Sequence, residues 1–63
     1  MKNNLAAIRY ESGMSLRQLA ALSGVSWSHL AKIESGERTP TLPIAYAICR
    51  ALNRNVYVVF PDI

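Results

Sequence analysis

Cysteine is all but missing from this sequence. Cys49 stands alone among 63 residues, so no intrachain disulfide can brace the fold. One histidine beside one cysteine is also too few ligands for a structural zinc site. A lone thiol suits a reducing compartment. Long apolar runs are missing too, and none approaches the roughly 20 residues of a membrane span. The opening MKNNLAAIRY is charged and has no apolar core, which argues against a secretory signal. The expectation is a soluble, cytoplasmic protein with no membrane partner. Acids are scarce as well: four Asp and Glu face seven Lys and Arg, a net charge of +3. After Arg38 the only acid is Asp62. The four acids are scattered, and there is no paired-carboxylate, Ser–His–Asp or Gly-rich phosphate constellation. That leaves no footing for an enzyme, a metal site or a cofactor.

What is present is apolar surface. Hydrophobic residues make up 51% of the chain, which excludes disorder. At this length the reading is one domain over residues 1–63. A chain so short hides only about 60% of the surface it exposes when unfolded, so tight helix packing or a partner subunit must supply stability.

Punctuation divides the chain into short helices. Gly13, Gly24 and Gly36 suit the left-handed position that closes a helix. Ser15 and Ser26 each follow a glycine by two residues and suit the N-cap, where a hydroxyl accepts from an unpaired backbone N–H. The spacing predicts helices near 3–12, 16–23 and 27–35. Leu5 with Ile8, Leu19 with Ala20 and Ser23, and Leu30 with Ile33 supply their apolar faces. Val25 is a plug at the turn. Pro40 disfavours helix before it, so 37–40 is a loop. Thr41 then caps a fourth helix whose first turn tolerates Pro43. Ala45, Ile48, Cys49 and Leu52 form its buried stripe to about Asn53, with Cys49 as a small buried hydrophobe. Tyr10 and Tyr46 read as partly buried scaffold. The tail Val56-Tyr57-Val58-Val59-Phe60 is strand by propensity, yet Asn55 as a cap favours a short helix. Its apolar surface exceeds what one short element can hide, and such patches mark partner contacts.

Two short helices joined by Ser23-Gly24-Val25-Ser26 have helix-turn-helix spacing. In that unit the second helix enters a major groove with its N-terminal residues at base edges. Beyond the unit, Arg9-x-x-x-Gly13, Met14-Ser15, Leu19-Ala20, Gly24-Val25-Ser26, Leu30-x-Lys32-Ile33-Glu34-Ser35-Gly36, Pro40-Thr41-Leu42 and Ile48-x-x-Ala51-Leu52 fall at matching spacing over residues 4 to about 60. This pattern resembles the phage-repressor-like helix-turn-helix family, the Cro/C1 or XRE type.

The resemblance implies an all-α, lambda-repressor-like bundle of five short helices. It implies a homodimer on a palindromic operator in double-stranded DNA, acting in transcription as a repressor. Carried over, 27–35 is the recognition helix, with Trp27, Ser28 and Lys32 toward bases. Ser15, Arg17, Ser35 and Arg38 take positions that meet phosphates, and His29 has either a phosphate contact or a half-buried packing role. Arg9 and Glu34 match a family ion pair joining the first helix to the end of the third. The sequence departs from the family at positions 16 and 27, where two polar side chains usually touch. Here stand Leu16 and Trp27, read as a compensated swap in which Leu16 packs on the indole. Trp27 then contacts DNA, through its N–H or against a thymine methyl, or else it only fills the corner or faces a partner protein. Tyr57, Val59 and Phe60, with the end of the fourth helix, are the expected dimer interface. The alternative function is a protein-interaction module of the same fold, such as an antitoxin binding a toxin or an anti-regulator.

Overall fold

A computed structural model describes residues 2–63. Five helices follow in chain order: α1 (Leu5–Glu11), α2 (Leu16–Ser23), α3 (Trp27–Glu34), α4 (Leu42–Leu52) and α5 (Val56–Val59). No strand occurs among the described residues, so the tail takes its helical alternative.

The helix ends are chemically defined. Ser15 accepts from the Gln18 N–H while its own N–H donates to the Gln18 side chain, at 3.0 and 2.8 Å, a reciprocal capping box. Ser26 accepts from the His29 N–H at 3.2 Å and starts α3. Asn55 accepts from the Tyr57 N–H at 2.8 Å and starts α5. Gly24 closes α2 at φ 76°, a left-handed conformation that glycine adopts without the Cβ penalty. Asn53 closes α4 at φ 54°, one of the few other residue types that tolerate this region. Thr41 occupies the N-cap of α4, but its side chain makes no capping hydrogen bond.

The helix ridges meet in one core. Leu5 and Ile8 of α1, Leu19 of α2, Leu30 and Ile33 of α3, and Ala45, Ile48, Cys49 and Leu52 of α4 are all buried, with Val25 at the α2–α3 turn. α2 packs on both α3 and α4, α1 on α3, and α5 on α4. Burial also pushes the Cys49 thiol pKa up, because the low-dielectric interior penalises the thiolate.

Four expectations are corrected here. α1 begins at Leu5 rather than near residue 3, because Asn3 and Asn4 turn their polar groups to other elements. The Asn3 amide donates to the Ile33 carbonyl, and the Asn4 side chain and backbone N–H donate to the Val58 and Val59 carbonyls. Asparagine commonly offers the backbone such alternatives to helix. Tyr10 and Tyr46 are exposed, not partly buried. Residues 5, 8 and 9 of α1 and 45, 48, 49 and 52 of α4 face inward, and the tyrosines lie off those stripes. The Tyr10 ring instead lies against the Arg9 guanidinium, 4.6 Å from its centroid, a cation–π distance. The third is Thr41, which sits at the cap position without capping.

The fourth concerns the expected dimer interface. Val59 and Phe60 are fully buried in the chain's own core, and Phe60 is its largest fully buried side chain. One turn of helix docked on α4, tied to Asn4, turns these two residues inward. They cannot also form a surface for a second subunit. Of the three expected residues only Tyr57 is exposed, with 74% of its surface open.

Candidate nucleic-acid interface

The α2–turn–α3 unit is held by its own short hydrogen bonds. The Val25 N–H donates to the Ser23 hydroxyl at 3.2 Å, Gly24 supplies the left-handed step, and the Ser26 cap follows. Val25 seats in the core below. The turn is therefore anchored from beneath, while Trp27 and Ser28 at the start of α3 are exposed.

Trp27 is the first residue of that turn and 54% exposed. Leu16 is half-buried and packs against the core. Ser28 is exposed beside Trp27, with its hydroxyl 3.5 Å from that of Ser26. Lys32, one turn further along α3, is also exposed.

An open groove runs between α3 and the start of α4. Ser28, His29, Lys32, Arg38, Thr39 and Thr41 line it. The groove exists because the 37–40 loop folds back on the end of α3. The Arg38 N–H donates to the Lys32 carbonyl at 3.2 Å, and Pro40 is buried. Four residues expected at DNA, Ser28, His29, Lys32 and Arg38, thus line one surface feature. His29 is half-buried within it.

Ser15 and Arg17 sit at the N-terminal end of α2, both exposed. The Ser15 oxygen accepts from Gln18, and its hydroxyl proton remains available for a further acceptor.

Ser35 is placed differently. It caps the C-terminal end of α3, donates its hydroxyl to the Lys32 carbonyl at 2.9 Å and accepts from the Glu37 N–H at 3.3 Å. Its nearest cleft is lined by Glu34 and Asp62, with Lys2, Asn3 and Asn4. A helix C-terminus carries partial negative charge. With its hydroxyl already bonded at this helix end, Ser35 stands apart from the groove that the other expected contacts line.

Arg9 donates through Nε and Nη2 to both Glu34 carboxylate oxygens at 2.6 and 3.2 Å, and through Nη1 to the Met14 carbonyl at 2.8 Å. The hydrogen bond to Glu34 holds the Arg9 pKa above its ordinary value, against the opposing pull of burial. Arg9 and Glu34 thus form the pair the family pattern implies, and both are consumed by the scaffold. Arg54 lies 3.5 Å from Glu11 on the surface. Arg17, Lys32 and Arg38 have no carboxylate partner among the described residues. These cations retain their full field for an outside anion.

Reading the sequence alone missed Thr39, Thr41 and Gln18. The two threonines add hydroxyl donors to the groove, and Gln18 fixes the start of α2. Ser15-x-x-Gln18 is a capping-box spacing and could have been read. The threonines flank Pro40 next to Arg38, but nothing local says that the loop turns them toward α3.

Comparison with known proteins agrees with this geometry. A helix-turn-helix family model matches residues 5–58. An uncharacterized HTH-type transcriptional regulator of Sinorhizobium fredii, y4dJ, is 36% identical over 50 residues, which cover 79% of this chain and 65% of that protein. An uncharacterized HTH-type transcriptional regulator of Bacillus subtilis, YgzD, is 35% identical over 60 residues, covering 95% of this chain and 91% of its own. The fold and the α2–α3 unit define a helix-turn-helix protein. More narrowly, the chain belongs to the Cro/C1 (XRE) type of that family.

Proposed function

We propose that this protein binds duplex DNA sequence-specifically as a homodimer and represses transcription by occupying an operator. The observation that carries the proposal is the exposed first turn of α3 beside the groove of Ser28, His29, Lys32, Arg38, Thr39 and Thr41, where Lys32 and Arg38 hold positive charge that no described carboxylate neutralises. In this reading α3 enters the major groove, where Trp27, Ser28 and Lys32 meet base edges. Ser15, Arg17, His29 and Arg38, joined by Thr39 and Thr41, hold phosphates. The phosphate contacts position the helix and the base contacts select sequence.

One recognition helix reads few bases. Two-fold pairing doubles them and sets half-sites roughly 10 bp apart. With Val59 and Phe60 inside the core, the exposed apolar residues of the C-terminal part include Tyr57 and Val58 of α5, Ile63, and Tyr46 on α4. We assign the dimer contact to Tyr57 and its exposed neighbours.

The test is selection of the protein against random duplex DNA near physiological salt, followed by a salt titration on the enriched sequence. An inverted repeat of fixed spacing is expected. Each phosphate neutralised should contribute a slope of about −0.9 in log K against log salt. An affinity indifferent to salt would refute the proposal. So would a folded protein that enriches nothing.

The same exposed Tyr57, Val58 and Ile63 favour a second reading, a module that captures another protein, such as a toxin. The two separate cleanly. Changing Lys32 and Ser28 should abolish function in the first case and leave it intact in the second, whereas Tyr57 is needed in both.

A further inference from the structure

We propose that DNA binding by this protein takes up a proton, and that the His29 ring is the group that holds it. The proposal rests on the DNA-binding reading above and adds a pH control to the same groove. His29 is the only histidine in the chain. It lines the groove between α3 and the start of α4 and is half-buried there. Its backbone N–H is spent on the Ser26 cap. Among the described residues no hydrogen bond or ion pair engages its ring.

The charges that share this groove have one sign. Lys32 comes from α3 and Arg38 from the 37–40 loop, while Ser28, Thr39 and Thr41 are neutral. α2, which packs on α3, carries one ionisable side chain, Arg17, also a cation. α1, also packed on α3, carries Arg9, bound to Glu34, Glu11, beside Arg54, and Tyr10, whose ring lies against Arg9. Tyr46, Cys49 and Arg50 of α4 line a different cleft, and Glu37 of the loop is not among the residues lining this one. No carboxylate in the groove therefore compensates a positive charge on the ring.

A DNA phosphate would supply that compensation. An imidazole is the side chain whose charge ordinarily changes between about pH 5 and 8, whereas lysine and arginine ordinarily keep theirs. The neutral ring has one N–H donor and the protonated ring has two. A hydrogen bond between an imidazolium and a phosphate is charge-assisted and stronger than its neutral counterpart. Phosphate and proton thus favour each other's binding by the same factor, as linkage requires. The neutral ring takes one proton from the buffer as the complex forms, and no other bond changes. Affinity then rises as pH falls.

The experiment measures wild-type protein on the duplex obtained by selection, from about pH 8 to about pH 5.5, with native helicity checked at each pH. Affinity should rise about fivefold for each subunit bound, the upper scale of one exposed ion pair. The salt slope should steepen by about 0.9 per subunit, as one more cation meets a phosphate. Calorimetry in two buffers of different ionisation heat should show proton uptake of up to one per subunit. His29→Gln should bind the same sequence with no response to pH, and His29→Lys should bind tightly throughout. An unchanged wild-type affinity with no proton uptake overturns the proposal. A pH response that survives in His29→Gln places the proton elsewhere and overturns it as well. Should the variants fail to fold, the wild-type ring resonance decides by NMR. It should titrate at higher pH in the complex than in the free protein, and equal midpoints overturn the proposal. Binding that depends on salt but not on pH removes this inference alone. No salt-dependent binding of any duplex at any pH removes the DNA-binding reading, and this inference with it.

Discussion

Replacing Glu34 with glutamine changes the shape of the side chain hardly at all, yet it should cost this protein most of its stability. Arg9 and Glu34 side chains are only 8% and 12% exposed. The two nitrogens of Arg9 meet both oxygens of Glu34. In Glu34→Gln one of those oxygens becomes an NH2 group, so a donor faces a donor and the guanidinium charge loses its counter-charge. Removing one partner of a buried pair costs about 3–5 kcal/mol. A chain of this length holds roughly 3–9 kcal/mol in total, at about 0.05–0.15 kcal/mol per residue. Each kcal/mol lowers Tm by roughly 4–8 °C in a domain of this size. Urea unfolding followed by far-UV circular dichroism should show the midpoint collapse, and DNA binding should weaken only in step with the unfolded fraction. Replacing both partners by apolar residues, Arg9→Met with Glu34→Leu, should recover part of the loss, since a desolvated pair has little advantage over good packing. Full recovery is not expected, because the Met14 carbonyl loses the Arg9 Nη1 donor at a cost of about 1–3 kcal/mol. The pair should be insensitive to alkali across the ordinary range. The folded pKa of Arg9 is raised, so its contribution is complete below the unfolded value and fades only as pH rises beyond it. A Glu34→Gln variant that loses less than about 1 kcal/mol, the level of an exposed pair, would refute this account of how α1 is locked to α3.

Phe60→Ala should destabilise by about 3–5 kcal/mol, as removal of a fully buried aromatic does, whereas Tyr57→Asp should fold normally and sediment as a monomer. Gly24→Ala meets no neighbouring atom within 4 Å, so its cost should be the backbone penalty alone at positive φ, about 1–2 kcal/mol, read from the urea midpoint. Arg38→Ala should weaken binding to all duplexes alike and flatten the salt slope by about 0.9, while Lys32→Ala should change sequence preference as well. Cys49 should resist alkylation in the native state and react on unfolding, because burial raises its pKa. With a raised folded pKa, its contribution is present below the ordinary thiol value and stability falls as pH climbs past about 8.5.

The contrast between Ser26 and Phe60 shows which parts of this molecule are legible in its sequence. Ser26 caps α3 through a bond to a residue three places on. That relation is local, so a serine two residues after a glycine suffices to find it. Gly24, Ser15 and the inward stripe of α4 are legible for the same reason. Phe60 is decided by other elements: α5 docks on α4, and Asn4, more than fifty residues away in sequence, donates to the Val58 and Val59 carbonyls. A one-turn helix is too short to show a 3.6-residue period, so no pattern within 56–60 separates the two residues that face in from Tyr57, which faces out. The candidate site divides along the same line. Trp27, Ser28 and Lys32 follow from their order along one helix. The groove beside them, shared with Arg38, Thr39 and Thr41, needs the loop to fold back on the Lys32 carbonyl. Ser35 illustrates the converse: its hydroxyl is spent on that same carbonyl, a capping role that its sequence position allows as readily as a phosphate contact. A polar residue at a helix end is thus ambiguous until its hydrogen-bond partners are known.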